Sequence, residues 1–169
     1  MNQPSAYHQL GLLIVQFQHL EANITEMLVM LSTAKDEEAA RIVVNELDYS
    51  QRVKTVDVLF ARTVDLQREP DVATKTEFHS LMVEAGKLGE RRNELVHSKY
   101  AHWINVEGQH GVIRENSRLR ASRGVREELE EELLPEAFSA DFERLSKALA
   151  ALERFRLKVI DWRYPTEQA

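Results

Sequence analysis

The chain has no cysteine. That removes disulfides, thiolate nucleophiles and cysteine-based zinc sites together. It also fits a reducing compartment, so the expected location is the cytoplasm. A basic excess is lacking too: the formal net charge is -6. A nonspecific coat for duplex nucleic acid is normally basic, so that class is disfavoured, while a local basic site stays open. Long apolar runs are missing. The longest, Leu10 to Val15, is far too short to span a bilayer, and no membrane partner is expected. The opening Met1-Asn2-Gln3-Pro4-Ser5 has no basic n-region and does not read as a signal peptide. There is no glycine-rich phosphate loop, no His-Glu-x-x-His, and no carboxylate pair suited to glycosidase work. Six histidines are present, but His97 and His102 do not share a helical face, so neither a metal nor another cofactor is expected.

What is there is an ordinary globular balance. Hydrophobic residues make up 43% and charged residues 30% of 169, enough for one domain, 1–169, with its own core. Leu10, Ile14, Phe17, Leu20, Ile24, Leu28 and Leu31 recur at three- and four-residue steps and predict a helix from Ser5 to about Ser32. A shorter helix is expected over Asp36–Leu47. Ser50 reads as the N-cap of the next, with Val53, Val56, Phe60 and Val64 as its stripe. Arg68-Glu69-Pro70-Asp71 breaks the pattern.

A long helix is then expected from about Ala73 to Tyr100, with Phe78, Leu81, Ala85, Leu88, Leu95 and Val96 on its apolar side. Gly86 and Gly89 inside it cost about 1 kcal/mol each against alanine. Either another backbone approaches closely there or the monomer packs tightly. Trp103–Val106 and Val112–Arg114 flank Glu107–Gly111 as a small hairpin or paired loop. Glu127–Leu134 reads as a short acidic helix ended near Pro135. Ser139 caps a last helix carrying Leu145, Leu149, Leu152, Phe155 and Val159, closed by Pro165. The expected architecture is an all-α bundle of about five helices with a small β-hairpin or loop insertion after the motif helix. Trp103 and Trp162 are expected as core or interface anchors.

The strongest chemical signal is Arg92-Asn93-Glu94-Leu95-Val96-His97. Arginine grips phosphate with a fork of donors, and histidine is suited to moving protons near neutral pH. Asn93 and His97 lie one turn apart on one face. Arg92 and His97 are five positions apart, so on an ideal helix they diverge by roughly 140°. They meet at one phosphate only if the helix ends or distorts here, or if two chains contribute. The alternative is a basic cluster favoured at a helix end by the macrodipole. Glu90 and Glu94 flank the motif and could neutralise Arg91 and Arg92. Arg114, Arg118, Arg120, Arg123 and Arg126 form the only basic concentration, fit either to track an RNA backbone or, with Glu127–Glu132, to make a solvated charged face.

Arg92, Asn93 and His97, with aromatics following at Tyr100 and Trp103, resemble the HEPN superfamily, small helical-bundle proteins whose Arg-x4–6-His motif marks metal-independent endoribonucleases. The first helix through Leu20-Glu21 and the Ser50-x-x-Val-x-x-Val segment are similar to that family's preceding helices. The resemblance implies a homodimer with two motif helices face to face around one cleft, the contact including the Gly86, Glu90, Asn93 and His97 face. It implies His97 as acid/base at a ribose 2′-OH, Arg92 as the clamp on the phosphorane, and Asn93 as an orienting group. It implies an RNA substrate and a toxin or phage-defence role, with an antitoxin or other protein partner. A noncatalytic module that binds a partner protein or nucleotide through the same face is the second expectation.

Overall fold

The computed structural model describes residues 5–32, 36–120 and 124–164, with backbone alone at 118–120 and 125–127. The protein is predominantly helical. Five α-helices run over Ala6–Leu31 (α1), Glu37–Asn45 (α2), Tyr49–Asp65 (α3), Val72–Val96 (α4) and Ser139–Arg163 (α5). Between α4 and α5 lie Lys99–Ile104 (β1), His110–Arg120 (β2), Val125–Leu133 (β3) and a short 3₁₀ turn, Pro135–Phe138. No described helix is long and apolar enough to cross a membrane. The described residues sort into two compact units: one within Met1–Phe17 and Glu90–Arg144, the other within Gln18–Gly89 and Leu145–Ala169.

In the second unit the expected stripes become a core. Leu20, Ile24, Met27 and Leu28 of α1, Val53, Val56, Phe60 and Val64 of α3, Phe78 and Ala85 of α4, and Leu152 and Phe155 of α5 are all buried. Phe60 stacks on Phe78 at 3.9 Å between centroids, and Phe155 meets both edge-on at 5.4 and 5.1 Å. Acidic residues cap α2, α3 and α4. Asp36 accepts from the Glu38 N–H at 2.9 Å. Asp48, not Ser50, caps α3: its Oδ1 accepts from the Gln51 N–H at 2.8 Å and Gln51 Oε1 accepts from the Asp48 N–H at 2.9 Å. This reciprocal box satisfies two donors at once, which an interior Ser50 does not do. Asp71 opens α4, accepting from Thr74 N–H at 3.1 Å and Thr74 Oγ1 at 2.6 Å. Gly89 answers one sequence alternative: the Tyr49 ring fills the space a Cβ would take, and Tyr49 Oη donates to Ala85 O at 2.9 Å. Nothing lies within 4 Å of such a Cβ at Gly86.

The first unit departs further from expectation. The insertion is a three-stranded antiparallel sheet, β1-β2-β3, larger than a hairpin. The expected acidic helix over Glu127–Leu134 is instead strand β3. Val125, Leu129 and Leu133 are four residues apart, a spacing that puts them on one face of a helix and equally on one face of a strand. Pairing decides it: β3 lies against the arginine-bearing β2, with Arg114 opposite Glu131, and opposite charges across strands are favourable. Gly124, at φ +61°, supplies a left-handed residue beside the connection. Pro135 begins the 3₁₀ turn, and Ser139 is already the first residue of α5. Pro165 lies outside the described residues.

The end of α4 bears most on function. The helix stops at Val96, four residues short of the expected Tyr100, because side chains take over its last carbonyls. Ser98 Oγ donates to Glu94 O, Arg114 Nη1 donates to the same oxygen at 3.4 Å, and Tyr100 Oη donates to Leu95 O at 2.6 Å. The chain then leaves as β1. Val96, expected on the apolar side, is 46% exposed at this edge, while Leu95 is buried.

Candidate functional site

The motif straddles that helix end. His97 is the first residue past α4, and its backbone N–H still donates to Asn93 O at 3.0 Å. Asn93 and His97 are both exposed. Arg92 is half-buried, its guanidinium carbon 4.9 Å from the centroid of the Phe17 ring. A cation over an aromatic face is attracted by the ring quadrupole.

Arg91, which the sequence offers only as a partner for the flanking glutamates, anchors the neighbourhood. Its Nη1 and Nη2 form a fork on Glu131 at 2.9 Å each, and its Nε donates to Asp141 at 3.1 Å. Arg114 Nε donates at 2.6 Å to Glu131 Oε2, the oxygen that also accepts from Arg91 Nη1, and Arg114 Nη1 donates to Ser98 Oγ at 3.2 Å. The Glu131 carboxylate on β3 is thereby shared by guanidiniums of α4 and β2, and Arg91 carries the network on to Asp141 at the start of α5. Burial alone would raise the Glu131 pKa, but hydrogen bonding from Arg91 and the charges of Arg91 and Arg114 outweigh it and hold the carboxyl below its usual range. Burial likewise works against the Arg91 charge, and its hydrogen bonds to Glu131 and Asp141 prevail, raising its pKa. Tyr100 has a raised pKa, chiefly from burial, so its hydroxyl stays a donor for the helix end. Paired carboxylates for Arg91 lie outside its own helix, at Glu131 and Asp141, and not at the flanking glutamates the sequence brings to mind.

The basic concentration needs a correction. Arg114 is 5% exposed and spent within the network, so it does not face a solvent-borne RNA backbone. Arg114 points to the inner face of β2, where Val112 is also buried, because strand side chains alternate. Arg118 and Arg120 lie on β2 and Arg126 on β3. Arg123 lies outside the described residues. The opposite sheet face is acidic. His97 and Lys99 border an open groove of about 250 Å³ whose other lining includes Glu115, Ser117, Glu128 and Glu130. Arg92 and Asn93 are not among its lining residues.

The alternating signal for this sheet was present in the sequence at Tyr100, Val112, Arg114, Glu131 and Leu133. It was masked because two of those five positions carry full charges on an inward face, which violates the usual apolar-in pattern. No known protein family, curated protein or solved structure matches this chain.

Proposed function

We propose that the chain is a metal-independent endoribonuclease whose site is completed by two copies, with Arg92 and His97 as the working groups. The observation that carries this is the pinned end of α4. It presents His97 and Asn93 to solvent one turn apart, on a helix terminus that Arg91, Arg114, Ser98 and Tyr100 hold in place. A rigid element is what a positioned acid/base group needs. In this reading His97 accepts the ribose 2′-OH proton as that oxygen attacks the adjacent phosphorus. The bond to the 5′-oxygen breaks, that oxygen takes up a proton, and a 2′,3′-cyclic phosphate results. Arg92, half-buried beside the Phe17 ring, supplies positive charge to the phosphorane. Asn93 orients substrate or imidazole. Such an activity suits a growth-inhibiting toxin or a phage-defence effector, held in check by a protein partner.

One observation favours a second reading. Glu115, Glu128 and Glu130 beside His97 repel phosphate on that flank, and they suit a noncatalytic module that docks a partner instead. Single-turnover cleavage of a mixed RNA pool separates the two. The nuclease reading expects cleavage that survives excess EDTA and falls at least about 100-fold in folded, dimeric His97→Ala and in Arg92→Ala. Full activity in His97→Ala would overturn the site assignment. Absence of wild-type cleavage across varied RNAs and pH values would favour the docking module. A monomer at micromolar concentration in sedimentation would remove the two-copy site.

A further inference from the structure

We propose that His102 and His110 form a two-histidine site for a borderline divalent transition-metal ion such as Zn²⁺ or Ni²⁺. His102 Nε2 and His110 Nδ1 stand 3.1 Å apart, with ring centroids 5.2 Å apart and planes inclined at 51°. Both residues are exposed, so an ion arriving from solvent reaches them.

The backbone brings them together. In the β1–β2 register His102 lies opposite Val112 and His110 lies opposite Ile104. They are therefore diagonal neighbours on one face, a relation that long or aromatic side chains bridge. The turn next to them is held at several points. Asn105 N–H donates to Gln109 O at 3.0 Å, and Asn105 Oδ1 accepts from the N–H groups of Glu107 at 3.0 Å and Gln109 at 2.8 Å. Gly108, at φ +76°, closes the turn with a bond from its N–H to Asn105 O at 3.0 Å. The spacing of the two rings is thus set by hairpin pairing and by a buttressed turn.

The donor spacing suits a metal. For bonds of 2.0–2.1 Å, nitrogens 3.1 Å apart subtend about 100° at the ion. That lies between the right angle of tetragonal copper or nickel and the tetrahedral angle of zinc. Imidazole nitrogen is a good ligand for these ions and a poor one for Mg²⁺ or Ca²⁺. In the absence of an ion one of these nitrogens donates to the other; when both hold the ion, the donor ring carries its proton on its other nitrogen and both imidazoles stay neutral. Among the described residues no group of three or more histidine, cysteine, aspartate or glutamate side chains is placed to hold a metal. Water fills the remaining positions, so binding is open and reversible. Its effect is a cross-strand clamp at the tip of the β1–β2 hairpin. His97 takes no part, and the proposal stands or falls apart from the nuclease reading.

The test is isothermal titration of the full chain with ZnCl₂ and with NiCl₂, and with MgCl₂ for comparison. The expected result is one Zn²⁺ or Ni²⁺ per chain and no Mg²⁺. His102→Ala and His110→Ala should each weaken binding at least about tenfold, while His8→Ala leaves it unchanged. Unaltered circular dichroism would show that both variants fold, as exposed sites allow. The urea midpoint should rise with saturating Ni²⁺ in the wild type and not in either variant. No saturable uptake, or uptake that survives both substitutions, would overturn the proposal.

Discussion

The two compact units are closed by different forces. Within Gln18–Gly89 and Leu145–Ala169 the interior centres on the rings of Phe60, Phe78 and Phe155 among aliphatic side chains. Within Met1–Phe17 and Glu90–Arg144 an apolar layer including Leu95, Val112, Leu133 and Phe138 is overlaid by the Arg91–Glu131–Arg114–Asp141 network. Ring burial is strong and has little direction. Forked ion pairs are weaker in net terms once desolvation is charged against them, but they fix angles. The helix end that carries His97 is the one held by angles. The contrast implies that stability is concentrated in one unit and positioning in the other.

The sharpest way to break the contrast is at the rings. Phe60→Ala removes a fully buried side chain and its ring contacts with Phe78, Phe155 and Trp162. A loss of about 3–5 kcal/mol is expected, read as a lower urea midpoint. A loss under about 1 kcal/mol would mean the ring cluster is not the stabilising centre.

Next in size is Glu131→Gln, which leaves Arg91 and Arg114 without their shared charge. Glu131 is 33% exposed at its side chain, so a part of the full buried-pair penalty applies, about 1–3 kcal/mol. The pH dependence gives a second readout. The folded pKa of Glu131 is lowered, so its stabilisation is present above the unfolded carboxyl pKa of about 4.3 and is lost as pH falls through the folded value. Glu131→Gln should therefore flatten the acid limb of the stability curve below about pH 4.5. Glu153 also has a lowered pKa, from its hydrogen bond to Arg156, but that pair is a local i,i+3 contact on one helix of the other unit, with a single arginine. Glu153→Gln should cost no more than about 0.5 kcal/mol. Equal effects of the two substitutions would erase the proposed difference between the units.

The units also differ in how far they could be read from sequence. Helical stripes such as Val53, Val56, Phe60 and Val64 announce themselves, because burial on one face needs no knowledge of the partner. Asp48 as cap was legible in principle from Gln51 three residues on, the box spacing, and Ser50 drew attention from it. The sheet was harder. Leu129 and Leu133 satisfy both periods, and only the register, fixed by long-range pairing, turns a run of glutamates into partners for arginines. At the site, Arg92, Asn93 and His97 were picked out by residue type, and their place at a helix end came close to expectation. The roles of Arg91 and Arg114, and the meeting of His102 with His110, depend on which strand lies beside which, and local spacing carries none of that.

The smallest effects test the two glycines of α4, which sit one turn apart in nearly the same sequence setting. At Gly89 a Cβ meets the Tyr49 ring, and the Tyr49 hydroxyl is held on Ala85 O, so the ring cannot swing away without losing that bond. Gly89→Ala should cost about 1–3 kcal/mol by overpacking. At Gly86 the space is open and the backbone is helical, so alanine should gain about 0.5–1 kcal/mol by helix propensity. The signs should thus be opposite in thermal unfolding at low protein concentration. Gly86 also belongs to the face proposed to meet a second copy. If that face closes on another backbone there, Gly86→Ala will stabilise the single chain while shifting sedimentation toward monomer. A variant both more stable and equally dimeric would place the contact elsewhere on the molecule, and the Arg92–His97 site would then need a different arrangement of its two copies.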